Sequence, residues 1–253
     1  MYGRGYGSPG FGFGPAFTPP IIQHLIIANV AVFVLQQLVP AIGFLGSIWP
    51  SAVWQRGFVW QPFTYMWLHG GLMHLLFNML SLWMFGSTLA MAWGPQRFLR
   101  FYLLCGVGAG LLIATYPYLL YAIGLGGALD IPTLGASGAI YGVLLAYSLT
   151  WPDRTIALLF PPVAFRAIWM IPIFFVMNVM ADRTGTVSHI GHLGGVLVGW
   201  LYMRRHGGAG VQQLSWAHLK HRLHRWRMRR RLRAVQYEEW EARRRNQDDR
   251  RFH

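Results

Sequence analysis

The chain is poor in charge. Only 12% of its 253 residues are Asp, Glu, Lys or Arg, about half the share of a soluble domain. Acidic residues number 8 against 22 basic ones, and Cys105 is the single cysteine. One cysteine excludes an intrachain disulfide, and its place inside an apolar block reads as packing. No internal repeat is evident, and no cleavable signal peptide is expected. What the chain has in abundance is apolar surface, 54% of all residues, arranged in long blocks. An all-α polytopic membrane protein is the class that fits.

The net charge of +14 would point to nucleic acid in a soluble protein. Its location changes the reading. From Arg204 onward there are 15 Lys and Arg against 5 Asp and Glu, and the chain before it has 7 against 3. The charge is a tail, and no nucleic-acid partner is expected. Three regions follow. Residues 1–19, rich in glycine, proline and aromatics, cannot build a packed core and read as a disordered tail. Residues 20–205 read as a helical membrane domain, and 206–253 as a basic cytoplasmic tail. In that tail Leu219, Leu223 and Trp226 recur at helical spacing among arginines. That pattern is expected of a cationic helix lying on anionic lipid headgroups, or of a merely solvated tail.

A bilayer core of about 30 Å needs roughly 20 apolar residues as a helix. Six spans are expected: 20–39, 72–93, 98–123, 136–151, 164–180 and 188–203. The fourth is short, about 24 Å at the helical rise. Cytoplasmic segments collect Lys and Arg. With both termini cytoplasmic, Arg4, Arg97, Arg100, Arg154, Arg166 and the tail lie inside, and only Arg56 and Arg183 lie outside.

In that topology the second, fourth and sixth spans run from outside to inside, and each carries its polar residues near its start. These are His69, His74 and Asn78 in "HGGLMHLLFN", Ser137 in "GASGAIYG", and His189 and His192 in "SHIGHLGGVLVG". Ionisable groups in a membrane are costly and by default mark a site. His74 and Asn78, four apart, share a helix face, as do Ser137 and Tyr141. His192, Gly195 and Gly199 also share one. Gly138 and Gly142 on the fourth helix face the chance of close packing with them. That contact would bring Ser137 to His192, and a serine becomes a nucleophile when a histidine takes its proton. A helix start offers free N–H groups that, with His74 and Asn78, can hold an oxyanion. Two alternatives stand beside this reading. Four histidines can ligate a metal, though that leaves Ser137 and the glycines unexplained. A hydrogen-bonded histidine cluster with no chemistry is the other.

Taken together and in this order, "HGGLMHLLFN", "GASGAIYG" and "HLGGVLVG" resemble the rhomboid intramembrane serine proteases over residues 20–205. The resemblance implies a six-helix bundle around a water-filled cavity, and a Ser–His dyad without aspartate, metal or cofactor. Ser137 would be the nucleophile and His192 the general base. His74, Asn78 and the Ser137 backbone N–H would form the oxyanion hole. Tyr141 would stack beside His192, His69 would be a structural loop histidine, and Gly135, Gly138, Gly195 and Gly199 would support the packing. Substrates would be transmembrane proteins of the same bilayer, cut in or beside a helix that must first unwind, since its backbone bonds are all made. Two positions depart from the family pattern, Gln61 where Trp-Arg is common and Ala90 where a glutamate is usual, and both bear on loop anchoring and stability. The alternative from another class is a non-proteolytic rhomboid-like protein that binds membrane proteins for quality control. The expected location is a prokaryotic cell (inner) membrane, with the site opening to the extracytoplasmic side.

Overall fold

The computed structural model describes residues 14, 15, 17–127, 129–158, 163–181, 189–206 and 228. The chain divides into units Met1–His206 and Gly207–His253, and every element below belongs to the first. The expectations for the N-terminal tail before Gly14, for Arg183 and Ser188, and for the tail helix around Leu219, Leu223 and Trp226 lie outside the described residues.

Helix α1 spans Pro20–Leu38. Three short helices follow, α2 (Pro40–Gly46), α3 (Pro50–Gln55) and α4 (Gln61–Thr64), each with a proline in its first turn. A proline there gives up only an N–H that the helix would leave unpaired, and its fixed φ suits the helix. The second span is α5 (Leu72–Ser81), a π turn at Leu82–Gly86 and α6 (Ser87–Trp93) in one continuous run. Gly94, at φ 83°, reverses the chain, and Pro95 opens α7 (Pro95–Ala122). Helix α8 is Ser137–Thr150. A two-stranded antiparallel hairpin, β1 (Thr155–Ala157) and β2 (Ala164–Arg166), leads into α9 (Met170–Ala181), and α10 is His189–Arg205.

The chain is a helical membrane protein, and among the described residues three helices are long and apolar enough to cross a bilayer, Pro20–Leu38, Leu72–Trp93 and Pro95–Ala122. Ser137–Thr150 and Ala167–Met180 are apolar but shorter. The fifth span differs most from expectation. Residues 164–166 form a strand and Ala167–Trp169 a 3-10 turn, so the α-helix proper begins only at Met170. The cause is the edge pairing of Thr155 with Arg166 and Ala157 with Ala164, which commits this backbone to a ladder before a helix can start. The third span begins three residues earlier than expected, because Pro95 is a good first helical residue.

The core is built around α8. Eleven of its 14 residues are buried, and it is wrapped by α7 and α10. Small residues set the approach. A Cβ on Gly195 would overlap the Gly138 carbonyl oxygen and lie 2.7 Å from its carbon, and one on Gly199 would lie 3.2 Å from Gly142 Cα. Advancing from 138 to 142 matches advancing from 195 to 199, so α8 and α10 run parallel. Against α7 the order reverses: Gly138 meets Ala109 and Gly142 meets Cys105, so α7 is antiparallel. Cys105 is buried there. The starts of α8 and α10 therefore lie at the same end.

Because α10 meets backbone at Gly195 and nothing lies within 4 Å of a Cβ on Gly71, alanine should act differently at the two. Gly195→Ala is expected to cost about 1–3 kcal/mol by overpacking, and Gly71→Ala little. Thermal unfolding of both variants in detergent checks this, and equal midpoints would contradict the packing described.

Candidate active site

Ser137 is the first residue of α8, and Ala136 before it provides no side-chain cap. The first-turn N–H groups are thus left without a capping side chain. The segment leading to it is pinned from several sides. Ile48 and Thr133 exchange two backbone bonds, 2.8 and 2.9 Å, and Ser51 N donates to Leu129 O at 3.0 Å. Ser51 Oγ also donates to Asp130 Oδ1. Gly135 N donates to Tyr65 O at 2.9 Å. Gly135 sits at φ +130°, a backbone conformation that favours glycine, and a Cβ there would lie 2.7 Å from His74 Cε1. The glycine is required twice, by its torsion and by the imidazole above it.

Across the glycine contact, His192 Nε2 lies 2.9 Å from Ser137 Oγ. The histidine is 4% exposed. Tyr141, one turn below the serine, lies flat against its ring, with centroids 4.1 Å apart and planes within 11°. Among the described residues Nδ1 of His192 has no hydrogen-bond partner. Among the described residues no carboxylate is bonded to this histidine, and the tyrosine face lies along the plane of its ring. His189 lies apart. Its ring is 6.3 Å from that of His192 and edge-on to Phe175 at 5.9 Å.

On α5, Gly70 N donates to His74 Nδ1 at 3.3 Å. Accepting at Nδ1 places the proton of a neutral imidazole on Nε2. A Cβ on Gly135 would be 2.9 Å from that Nε2 and 3.9 Å from Ser137 Oγ, so the donor and the hydroxyl border the same small space. Asn78 is buried one turn on, its Nδ2 donating one hydrogen to His74 O at 2.8 Å. His69 stands behind His74, edge to face at 5.2 Å. The Gln36 side chain clamps the His69 backbone, donating to its O at 3.0 Å and accepting from its N at 3.2 Å.

The structure thus brings Ser137, His192, Tyr141, His74, Gly135, Gly138 and Gly195 to one end of the bundle, with Gly199 a turn deeper and Asn78 and His69 on the α5 side. Among the described residues no group of three or more His, Cys, Asp or Glu side chains is arranged to hold a metal ion. Gln61, the departure from the expected Trp-Arg, is fully buried and anchors the loop itself. Its Oε1 accepts from Trp49 N at 3.0 Å and its Nε2 donates to Leu45 O at 3.3 Å. Ala90 is buried in α6.

The Rhomboid domain model matches residues 56–206. The chain belongs to the rhomboid family. Among similar proteins is the "Rhomboid protein 1, mitochondrial" of Saccharomyces cerevisiae, 33% identical over 80% of this chain and 60% of its own length. The "Presenilin-associated rhomboid-like protein, mitochondrial" of Bos taurus is 32% identical over 72% of this chain and 47% of its own. The "Rhomboid protease GluP" of Bacillus subtilis is 29% identical over 63% and 29%. This rhomboid therefore spans less than two thirds of the length of each of these relatives. The mitochondrial names correct the expected location. They point to a mitochondrial membrane and away from the prokaryotic cell membrane inferred from sequence.

Asn178 is a residue bonded to the site that the motifs missed. Its Nδ2 donates to Tyr141 Oη at 2.8 Å. The available signal was compositional, because it is the one polar side chain in "MIPIFFVMNVMA".

In this rhomboid, His69 carries a testable pH dependence. Burial first, and nearby His74 second, push its pKa from 6.5 down to about 4. Below 6.5 the unfolded chain takes up a proton that the folded protein refuses until about 4. Stability is therefore full above 6.5 and is lost as pH falls through that window. Thermal unfolding across it should show a decline that is smaller in His69→Asn, and parallel curves for the two proteins would contradict this origin.

Proposed function

We propose that this rhomboid is an intramembrane serine endopeptidase acting on transmembrane proteins through Ser137 and His192, with six helical crossings and both termini on one side. The observation that carries the reading is the 2.9 Å approach of His192 Nε2 to Ser137 Oγ at the unprotected start of α8. In this mechanism Ser137 Oγ attacks the carbonyl carbon of the scissile bond while His192 Nε2 takes its proton. The tetrahedral oxyanion is met by the Ser137 N–H, the Nε2–H of His74 and the unused N–H of Asn78. The imidazolium then gives its proton to the leaving amine, and an acyl-enzyme remains on Ser137. Water, deprotonated by the same histidine, releases the second product and restores the serine.

Several features support the reading. Helix α8 has 14 residues, roughly 21 Å, so a serine at its start need not lie at the membrane surface. The first-turn N–H groups carry the positive end of the helix dipole. The Tyr141 stack supplies the orientation that a carboxylate supplies in a triad. A substrate helix must open locally before its carbonyl is accessible, so helix-breaking residues near the cleavage site favour turnover.

Purified protein should cleave a model transmembrane substrate in detergent, and Ser137→Ala should lower turnover by a factor on the order of 10^4 or more without changing the melting midpoint. The serine mechanism uses no ion, so EDTA and phenanthroline should leave the rate unchanged. Wild-type turnover by Ser137→Ala, or loss on chelation that zinc restores, contradicts the mechanism. A folded protein that binds but never cuts such substrates assigns it to the non-proteolytic class.

A further inference from the structure

We propose that Asn178 is a positioning residue, holding the Tyr141 ring on His192 and thereby tying the alignment of the base to the position of α9. The inference rests on the Ser137–His192 reading above.

An amide in an apolar helix is costly unless its hydrogens find acceptors. Both hydrogens of Asn178 Nδ2 are placed. One goes to Phe174 O, a turn earlier on α9, at 2.8 Å, and the other to Tyr141 Oη on α8, also at 2.8 Å. The first bond fixes the amide relative to its own helix, and the second carries that orientation to α8. Tyr141 then meets His192 face to face at 4.1 Å, and His192 meets Ser137 at 2.9 Å. A continuous set of contacts runs from the α9 backbone to the serine hydroxyl.

Two observations make this path matter. His192 Nδ1 has no hydrogen-bond partner among the described residues, so the tyrosine face governs the ring plane, and the bond to Oη restrains the far end of that tyrosine. Helix α9 is also lightly packed. None of the residues from Ile171 to Met180 is buried, whereas α8 buries eleven of 14. Segments with few buried contacts open most easily. Displacement of α9 lengthens the Asn178–Tyr141 bond before it disturbs the glycine contact of α8 with α10. The base is therefore aligned while α9 is docked and loosened when α9 moves away.

The test uses the full chain in detergent, with a fluorophosphonate probe reporting Ser137 reactivity and a model transmembrane substrate reporting turnover. Asn178→Leu removes both donors at similar volume, and Tyr141→Phe removes the acceptor without touching α9. Each should slow labelling by about tenfold, with the loss in turnover falling on kcat and KM unchanged. The double variant should be no slower than either single one, because both remove one bond. Melting midpoints should hardly move. Labelling of Asn178→Leu at the unaltered rate, or losses that multiply in the double variant, overturns the proposal. Should Asn178→Leu fail to fold, Tyr141→Phe decides alone, and an unaltered rate there overturns it. If the unaltered protein labels at Ser137 and the variants match it, the positioning role falls and the serine reading stands. If the unaltered protein does not label, both fall.

Discussion

Backbone contact between α8 and α10 at Gly138 and Gly195 is the constraint on which the serine end depends. No side chain separates the helices there, and one added carbon would overlap a carbonyl. Dispersion at such short separation, together with small-residue packing, is what holds helices together where lipid provides no hydrophobic drive. The contact fixes the relative height of the two helices. With Gly195 on Gly138, His192 falls opposite Ser137. A shift of one helical turn, about 5.4 Å, would separate the hydroxyl from the imidazole. The remaining structure protects this register. Helix α7 fills the third side with Ala109 and Cys105 against Gly138 and Gly142, and the loop before α8 is pinned to Ile48, Ser51 and Tyr65.

The electrostatics follow from the same packing. A buried carboxylate would need its own partners, and none stands behind His192 among the described residues. An aromatic face orients the imidazole at lower desolvation cost. On the other side, the Gly70 N–H selects the tautomer of His74 by donating to Nδ1, which leaves Nε2–H directed toward the serine end. Both imidazoles are thus oriented by neighbours that carry no charge, an arrangement suited to a low-dielectric site where stray charges are expensive.

Much of this was legible in the sequence, for identifiable reasons. Helix periodicity made His74 and Asn78 neighbours, and His192, Gly195 and Gly199 one face. Glycine four apart on the other helix then named the partner. What the sequence hid was non-local or rested on short elements. Prolines at 40, 50 and 62 each sit in the first turn of a short helix, but no periodic run is long enough to reveal such helices. The ladder pairing Thr155 with Arg166 takes up residues 164–166, which hydropathy reads as the start of a helix. Gln61, where an arginine is expected, makes two bonds to the loop, and that anchoring is visible only once Trp49 and Leu45 are seen around it. The expected prokaryotic location rested on no residue, and the mitochondrial relatives corrected it.

The register of α8 against α10 makes His192, and not its neighbour three residues earlier, the partner of Ser137. The most direct test replaces each histidine with alanine and measures peptide-bond turnover in protein that melts like the unaltered chain. His192→Ala should abolish turnover, and His189→Ala should keep a substantial fraction, since its ring stands 6.3 Å from that of His192 and against Phe175. Folded protein in which His189 is essential and His192 dispensable would contradict the account.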